Sequence, residues 1–135
     1  MIYPNSIFYY SPTPSRRHLA PAVRMIVQSS RNSALEQDIE AILDTGSAAT
    51  CVPETVITSL GGDLLPYDYV KIMGVTGKPE RRKRYRINIT IGNCAFVPWP
   101  VVAIPRSYAL IGRDIANSHV IELDGKNQRW SMSPC

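Results

Sequence analysis

From residue 22 onward, apolar side chains recur at every second position in short bursts, the signature of strands that bury one face. Residues 22–28 form the first burst, and a polar turn at 29–33 leads into a second at 35–43. Together they predict a hairpin that delivers the chain to Asp44. A β-prone run at 50–52 follows, and Pro53 with Glu54 opens one or two helical turns through Leu60, stopped by Gly61 and Gly62. Segments 67–73 and 82–91 are rich in β-branched and aromatic residues and flank the turn-forming stretch 74–79, so they predict a long hairpin with a glycine-containing tip. Residues 95–104 predict a further strand, whose Pro98 and Pro100 suit an edge or a bend. The apolar run 108–111 enters Gly112, and 113–118 predict a short helix. Segments 119–123 and 128–132 form a last hairpin around Asp124-Gly125-Lys126-Asn127.

The sum is an all-β domain with one or two short helices. Nothing alternates strand with helix as a parallel sheet would require, and no helical segment is long enough for a bundle. A length of 135 residues fits one core. The domain is expected over 22–135, preceded by an irregular proline-rich tail at 1–21 that carries Pro4, Pro12, Pro14 and Pro21. Met25, where the periodic sequence begins, is a second candidate translation start. The tail has no apolar run of the kind that follows a basic start in a secretory leader, and no segment is long and apolar enough to span a bilayer. The expected location is therefore cytoplasmic.

Charge and cysteine content narrow the chemistry. The net charge of +4 is concentrated in one place, where Lys78, Arg81, Arg82, Lys83, Arg84 and Arg86 face only Glu80. That run permits a small basic β-module binding nucleic acid through Arg81 to Arg86. A solvated hairpin strand is the plainer reading, because only Tyr85 interleaves the cations. The three cysteines, Cys51, Cys94 and Cys135, lack metal-ligand spacing, and their odd number argues for reduced thiols, with Cys51 and Cys94 half-buried. No metal and no cofactor is expected. His18 and His119 have no plausible nucleophile partner, since Cys51 beside Val52 reads as a small core residue.

Two segments carry a sharper signal. The first is Ala41-Ile42-Leu43-Asp44-Thr45-Gly46-Ser47, an apolar strand running into Asp-Thr-Gly-Ser; the second is Ala109-Leu110-Ile111-Gly112-Arg113-Asp114. Asp-Thr-Gly alone is also an ordinary turn, in which Asp accepts backbone hydrogen bonds. With a glycine-tipped hairpin between them, and in this order, the two segments make residues 22–132 resemble the retropepsin-like (retroviral-type) aspartic proteases. The resemblance implies a closed-barrel acid protease fold that works as a two-fold homodimer on an extended peptide or protein substrate. It implies Asp44 as the catalytic carboxylate, supported by Thr45, Gly46 and Ser47. Gly74, Val75, Thr76 and Gly77 would form the flap over the substrate, and Leu110, Ile111, Gly112 and Arg113 a structural segment beside the site.

Chemistry explains the residue types. Hydrolysis without metal or covalent nucleophile needs a base for water and an acid for the carbonyl, and two adjacent carboxylates sharing one proton supply both. The chain holds one Asp-Thr-Gly, so the dyad requires a second copy of Asp44. By the resemblance, Thr45 would reach across the dimer axis and Ser47 would donate to the outer oxygen of Asp44, making the pH optimum more acidic than in Ser47→Ala. The chain departs from the retroviral pattern at Ala48, where an acidic residue is common, so Arg113 needs another partner. The last hairpin is long enough to supply much of the interface, with Trp130 either its anchor or plain core. A dimerising domain that cleaves weakly or not at all is the remaining alternative.

Overall fold

In the computed structural model, residues 6–12, 19–74 and 77–135 are described. The strands are β1 (Ser6–Tyr9), β2 (Ala22–Ser29), β3 (Glu36–Leu43), β4 (Cys51–Pro53), β5 (Asp68–Met73), β6 (Pro79–Ile91), β7 (Cys94–Ile104), β8 (Ala109–Ile111), β9 (Val120–Asp124) and β10 (Arg129–Ser133). Two short helices, α1 (Glu54–Ser59) and α2 (Arg113–Ala116), complete the set among the described residues.

Seven strands hydrogen-bond in the order β2-β3-β8-β4-β7-β6-β5, and β2 also pairs with β6. That extra pairing, from Met25↔Ile91 to Ser29↔Ile87, closes six strands into a barrel and leaves β5 hanging from β6. Closure gives each of the six barrel strands at least two hydrogen-bonded neighbours. The core follows from period-2 patterning on β6, where Tyr85, Ile87, Ile89 and Ile91 point inward while Arg84, Arg86, Asn88 and Thr90 point out. At the centre the pattern changes. β4 is buried along its whole length, as is the end of β7 at Val101 to Ile104, as expected where both faces of a strand are covered.

Pro98 and Pro100 lie in the part of β7 that pairs with β6 alone, beside a register shift at Ile87/Ile89; β4 joins only from Val102 onward. The strand is therefore an edge where it carries proline and central where it does not, because a missing N–H costs nothing on an unpaired side.

Two expectations need correction. The N-terminal stretch is not irregular throughout: β1 pairs antiparallel with β10, which also pairs with β9, giving a separate three-stranded sheet. Phe8, on the inner face of β1, stacks against Trp130 with ring centroids 4.7 Å apart, and this contact anchors the segment despite its prolines. The parts of the expected tail at 1–5 and 13–18, His18 included, lie outside the described residues. The cysteines are not all reduced. Cys94 at the start of β7 and Cys135 after β10 are disulfide-bonded, with Cα atoms 4.5 Å apart; Cys51 alone is free. An odd count cannot reveal that the fold carries two of three thiols together.

Trp130 belongs to the core: it is 1% exposed and donates from Nε1 to the Ala22 carbonyl at 3.0 Å. No helix among the described residues is long and apolar enough to cross a membrane.

Candidate active site

Asp44 follows the last residue of β3, and its backbone is tied to β8: the Asp44 amide donates to the Ile111 carbonyl at 2.9 Å. β3 and β8 run parallel with Leu43 opposite Ile111, so the two segments singled out in the sequence leave the barrel side by side. Beyond Leu43 the chain turns sharply. The Ser47 amide donates to the Asp44 carbonyl at 3.1 Å, and the Gly46 amide to Asp44 Oδ1 at 2.9 Å. A Cβ on Gly46 would stand 3.1 Å from Asp44 Oδ1, so glycine leaves the carboxylate its space. Asp44 is half-buried, while Thr45 and Gly46 are exposed.

The loop is held from the other side by the start of α2. Arg113 donates from Nη1 to the Thr45 carbonyl at 2.8 Å, and its amide donates to the Ser47 carbonyl at 2.8 Å. The first of these bonds answers the absence of an acid at Ala48. The guanidinium takes a backbone carbonyl where the retroviral pattern offers a carboxylate. Gly112 makes the crossing possible. A Cβ there would overlap the Ala49 backbone and lie 2.8 Å from the Thr50 nitrogen.

Beneath the loop lies a polar network that sequence reading passed over. Asp114 Oδ1 accepts from Thr50 Oγ1 at 2.8 Å and from the Ile115 amide at 2.9 Å, and Oδ2 accepts from Trp99 Nε1 at 2.9 Å. Thr50 Oγ1 accepts in turn from the Gly112 amide at 3.1 Å. Asp114 thus joins α2, β7 and the segment entering β4. In the sequence Asp114 shows only as the end of the Ala109–Asp114 segment, an acid in the first turn of a short helix, with nothing to point to these partners.

Ser47 departs from its expected contact. Its hydroxyl donates to the Ala49 carbonyl at 2.7 Å rather than to Asp44, since the turn places that carbonyl two residues away and in reach. Cys51, 5% exposed, sits against the same carbonyl at 3.4 Å. Burial pushes its thiol up to about 11, opposed by the Ser47 hydroxyl and reinforced by the charges of Asp114 and Asp44. A thiol so raised is protonated at neutral pH and is no nucleophile.

The long hairpin β5–β6 pairs from Asp68↔Arg84 to Met73↔Pro79. At its tip Gly77 donates its amide to the Gly74 carbonyl at 3.1 Å, and both glycines are exposed. Val75 and Thr76, named with them as flap residues, lie outside the described residues. The basic run is largely engaged by side chains of the hairpin, of α1 and of the segment before β5. Arg82 pairs with Glu54 and Glu80, Arg84 with Asp68, and Arg81 and Arg86 stack over Tyr69 and Tyr67 at 4.0 and 4.1 Å. Among the described residues, no group of three or more His, Cys, Asp or Glu side chains could hold a metal ion.

Comparison with known proteins places this geometry. Residues 32–115 match the family model described as aspartyl protease, more than half of the chain. No curated protein matches. Among solved structures, the EIAV protease complexed with the inhibitor HBY-793 is similar at a TM-score of 0.58 and 16% identity, over 79% of this chain and 93% of that one. The foamy viral protease-reverse transcriptase in complex with RNA/DNA hybrid gives 0.55 and 15%, over 86% of this chain, which spans only 12% of that protein's length. The retroviral protease-like domain of Ddi1 from Leishmania major gives 0.49 and 14%, over 85% of this chain and 96% of that one. At such identity the likeness to the two viral proteins speaks for the fold, and it is the retropepsin-like one. The matched stretch runs from the β2–β3 turn through Asp44 and the long hairpin to α2, and with it the chain belongs to the aspartyl protease family.

Proposed function

We propose that the protein is an aspartic endopeptidase whose dyad forms from Asp44 of two copies, with a water between the carboxylates attacking the peptide carbonyl. The observation that carries this reading is the Asp-Thr-Gly loop itself. It is fastened to β8 and α2 by the Asp44, Thr45 and Ser47 backbone bonds, and it presents a single half-buried carboxylate beside exposed Thr45 and Gly46. Asp114 cannot complete the dyad within one chain, because both its oxygens are taken by Thr50, Ile115 and Trp99. A symmetry mate supplies the second carboxylate and covers the exposed loop.

In the dimer the two carboxylates share one proton, because both cannot ionise at close range. The ionised one takes a proton from water as it attacks, and the protonated one donates to the carbonyl oxygen. Preorganisation comes from the loop's backbone bonds, which hold Asp44 before substrate arrives. Gly74 and Gly77 give the β5–β6 hairpin a tip able to close over an extended peptide and exclude water.

The test is peptide cleavage across protein concentration by wild type, by Asp44→Asn and by mixtures of the two. Specific activity should fall on dilution, Asp44→Asn should be inactive, and excess Asp44→Asn should suppress the wild type by forming one-carboxylate dimers. Activity that survives Asp44→Asn would refute the reading; activity that ignores both dilution and mixing would refute the shared dyad.

A further inference from the structure

The alternation of β7 divides its end between two faces. Val101 and Ala103 point into the main core, whereas Val102 and Ile104 join Cys51 in a second buried cluster on the opposite face. Ala49, Val70, Ile72 and Leu110 pack on that cluster and stay partly exposed. This apolar strip starts beside the aspartate. Cys51 stands opposite Leu110, and Leu110 precedes Ile111, whose carbonyl holds the Asp44 amide. It ends under the long hairpin, where Ile72 and Ile104 line a cavity of about 360 Å³.

The charged lining of that cavity is unbalanced. It consists of Lys78, Glu80, Arg82 and Arg106. Glu80 is bonded by Arg82, which also reaches Glu54. Among the described residues, no acidic side chain lies within ion-pair distance of Lys78 or Arg106; both are exposed, one at the hairpin tip and one after β7. Arg106 shares the lining of that cavity with Ile104, at the end of the apolar strip that starts beside Asp44.

We propose that this groove selects acidic peptides: an apolar side chain seats on the Cys51–Ile104 strip, and a Glu or Asp a few residues away along the extended chain is held between Lys78 and Arg106. The inference rests on the reading of Asp44 as half of a peptidase dyad, and it adds what that dyad is fed. An extended peptide places alternate side chains on one face, so one apolar and one acidic residue can meet the floor and the rim together. Potential complementarity of this kind sets selectivity and encounter rate more than total affinity.

The experiment walks a single Glu, or Gln in its place, through the positions on either side of a central Phe in short fluorescent peptides. Binding is measured by anisotropy to the full-length Asp44→Asn chain, and cleavage by the wild type. At one or more positions Glu should bind about fivefold more tightly than Gln at low salt, with the preference shrinking as salt rises. The double variant Lys78→Glu/Arg106→Glu, in the Asp44→Asn chain, should abolish or invert it. Both side chains are exposed, so the fold is not at stake. Equal binding of Glu and Gln peptides at every position would overturn the proposal, as would a preference unchanged in the double variant. Cleavage without acid preference would remove this selectivity and leave the peptidase. Acid-selective binding without cleavage would keep the groove and remove the peptidase.

Discussion

Arg113 Nη1 donates to the Thr45 carbonyl at 2.8 Å, joining the first residue of α2 to the residue after the aspartate. The bond runs between two segments 68 residues apart in sequence and fixes the tilt of the loop that carries Asp44. A guanidinium–carbonyl bond at an exposed position is worth about 1 kcal/mol. Its effect on chemistry should be larger, since a carboxylate displaced by an ångström loses about a hundredfold in rate. Arg113→Ala should therefore lower the melting temperature by a few degrees but lower kcat/KM by tenfold or more. Arg113→Lys, which keeps the charge without the fork, should recover only part of the rate. Denaturant titration beside peptide kinetics separates the two effects, and equal small losses in both would show that Arg113 does not position the loop.

Gly112→Ala should be the most damaging small substitution in the chain. Its methyl group would overlap the Ala49 backbone and crowd the Thr50 nitrogen, neither of which is the yielding tip of a side chain. Overpacking of this kind costs about 1–3 kcal/mol, and more where backbone must move. The shift would be felt directly by Asp44 through Ser47 and Arg113. Gly125→Ala, in a turn with nothing within 4 Å of the added carbon, is the control and should be nearly neutral. Thermal melts of the two variants decide the matter.

These two residues also mark what the sequence could and could not disclose. The strands were legible because one-sided burial writes itself as alternation, as in Tyr85, Ile87, Ile89 and Ile91. Leu110 to Arg113 stood out as a motif, yet the reason Gly112 must be glycine lies in a chain crossing that no local pattern records. β1 was hidden because its neighbours are proline-rich and its stability comes from Phe8 on Trp130, a contact made across the whole chain. Closure of the barrel by β2 on β6, and the joining of Cys94 to Cys135, are likewise products of three-dimensional proximity. That the chain turns after Asp44 was legible in Asp-Thr-Gly, but the contact of the Ser47 hydroxyl was not. The turn brings the Ala49 carbonyl within 2.7 Å of it, a proximity that the residue types do not record.

Cys51 should behave as a buried thiol whose ionisation the fold resists. Its pKa is raised from 9.0 to about 11, first by burial and then by Asp114 and Asp44, against the Ser47 hydroxyl. Because the folded value lies above the unfolded one, the contribution to stability is complete below pH 9 and is lost as pH rises through about 11. Iodoacetamide at pH 8 should label Cys51 far more slowly in the native chain than in urea, as read by mass spectrometry with the Cys94–Cys135 disulfide intact. Cys51→Ala should flatten the fall in stability between pH 9 and 11. Native labelling as fast as in urea would show that the thiol is open to solvent.

Asp114 offers the sharpest test of the network under the loop. As a carboxylate it accepts from three donors at once, Thr50 Oγ1, the Ile115 amide and Trp99 Nε1. An asparagine has one acceptor oxygen, and its amide group would face a donor wherever it pointed. Trp99 cannot adapt, because an indole nitrogen only donates. Thr50 can rotate its hydroxyl, yet it already accepts from the Gly112 amide. Asp114→Asn should therefore cost about 1–2 kcal/mol, and Asp114→Ala about 2–3, since the alanine leaves every donor unmet. The double variant Asp114→Asn/Trp99→Phe removes the donor that asparagine cannot serve. It should be less damaged than the sum of its two single changes, a coupling that a double-mutant cycle in urea measures. Strict additivity would mean that Trp99 and Asp114 stabilise the loop independently, and that the network does not act as one unit beneath Asp44.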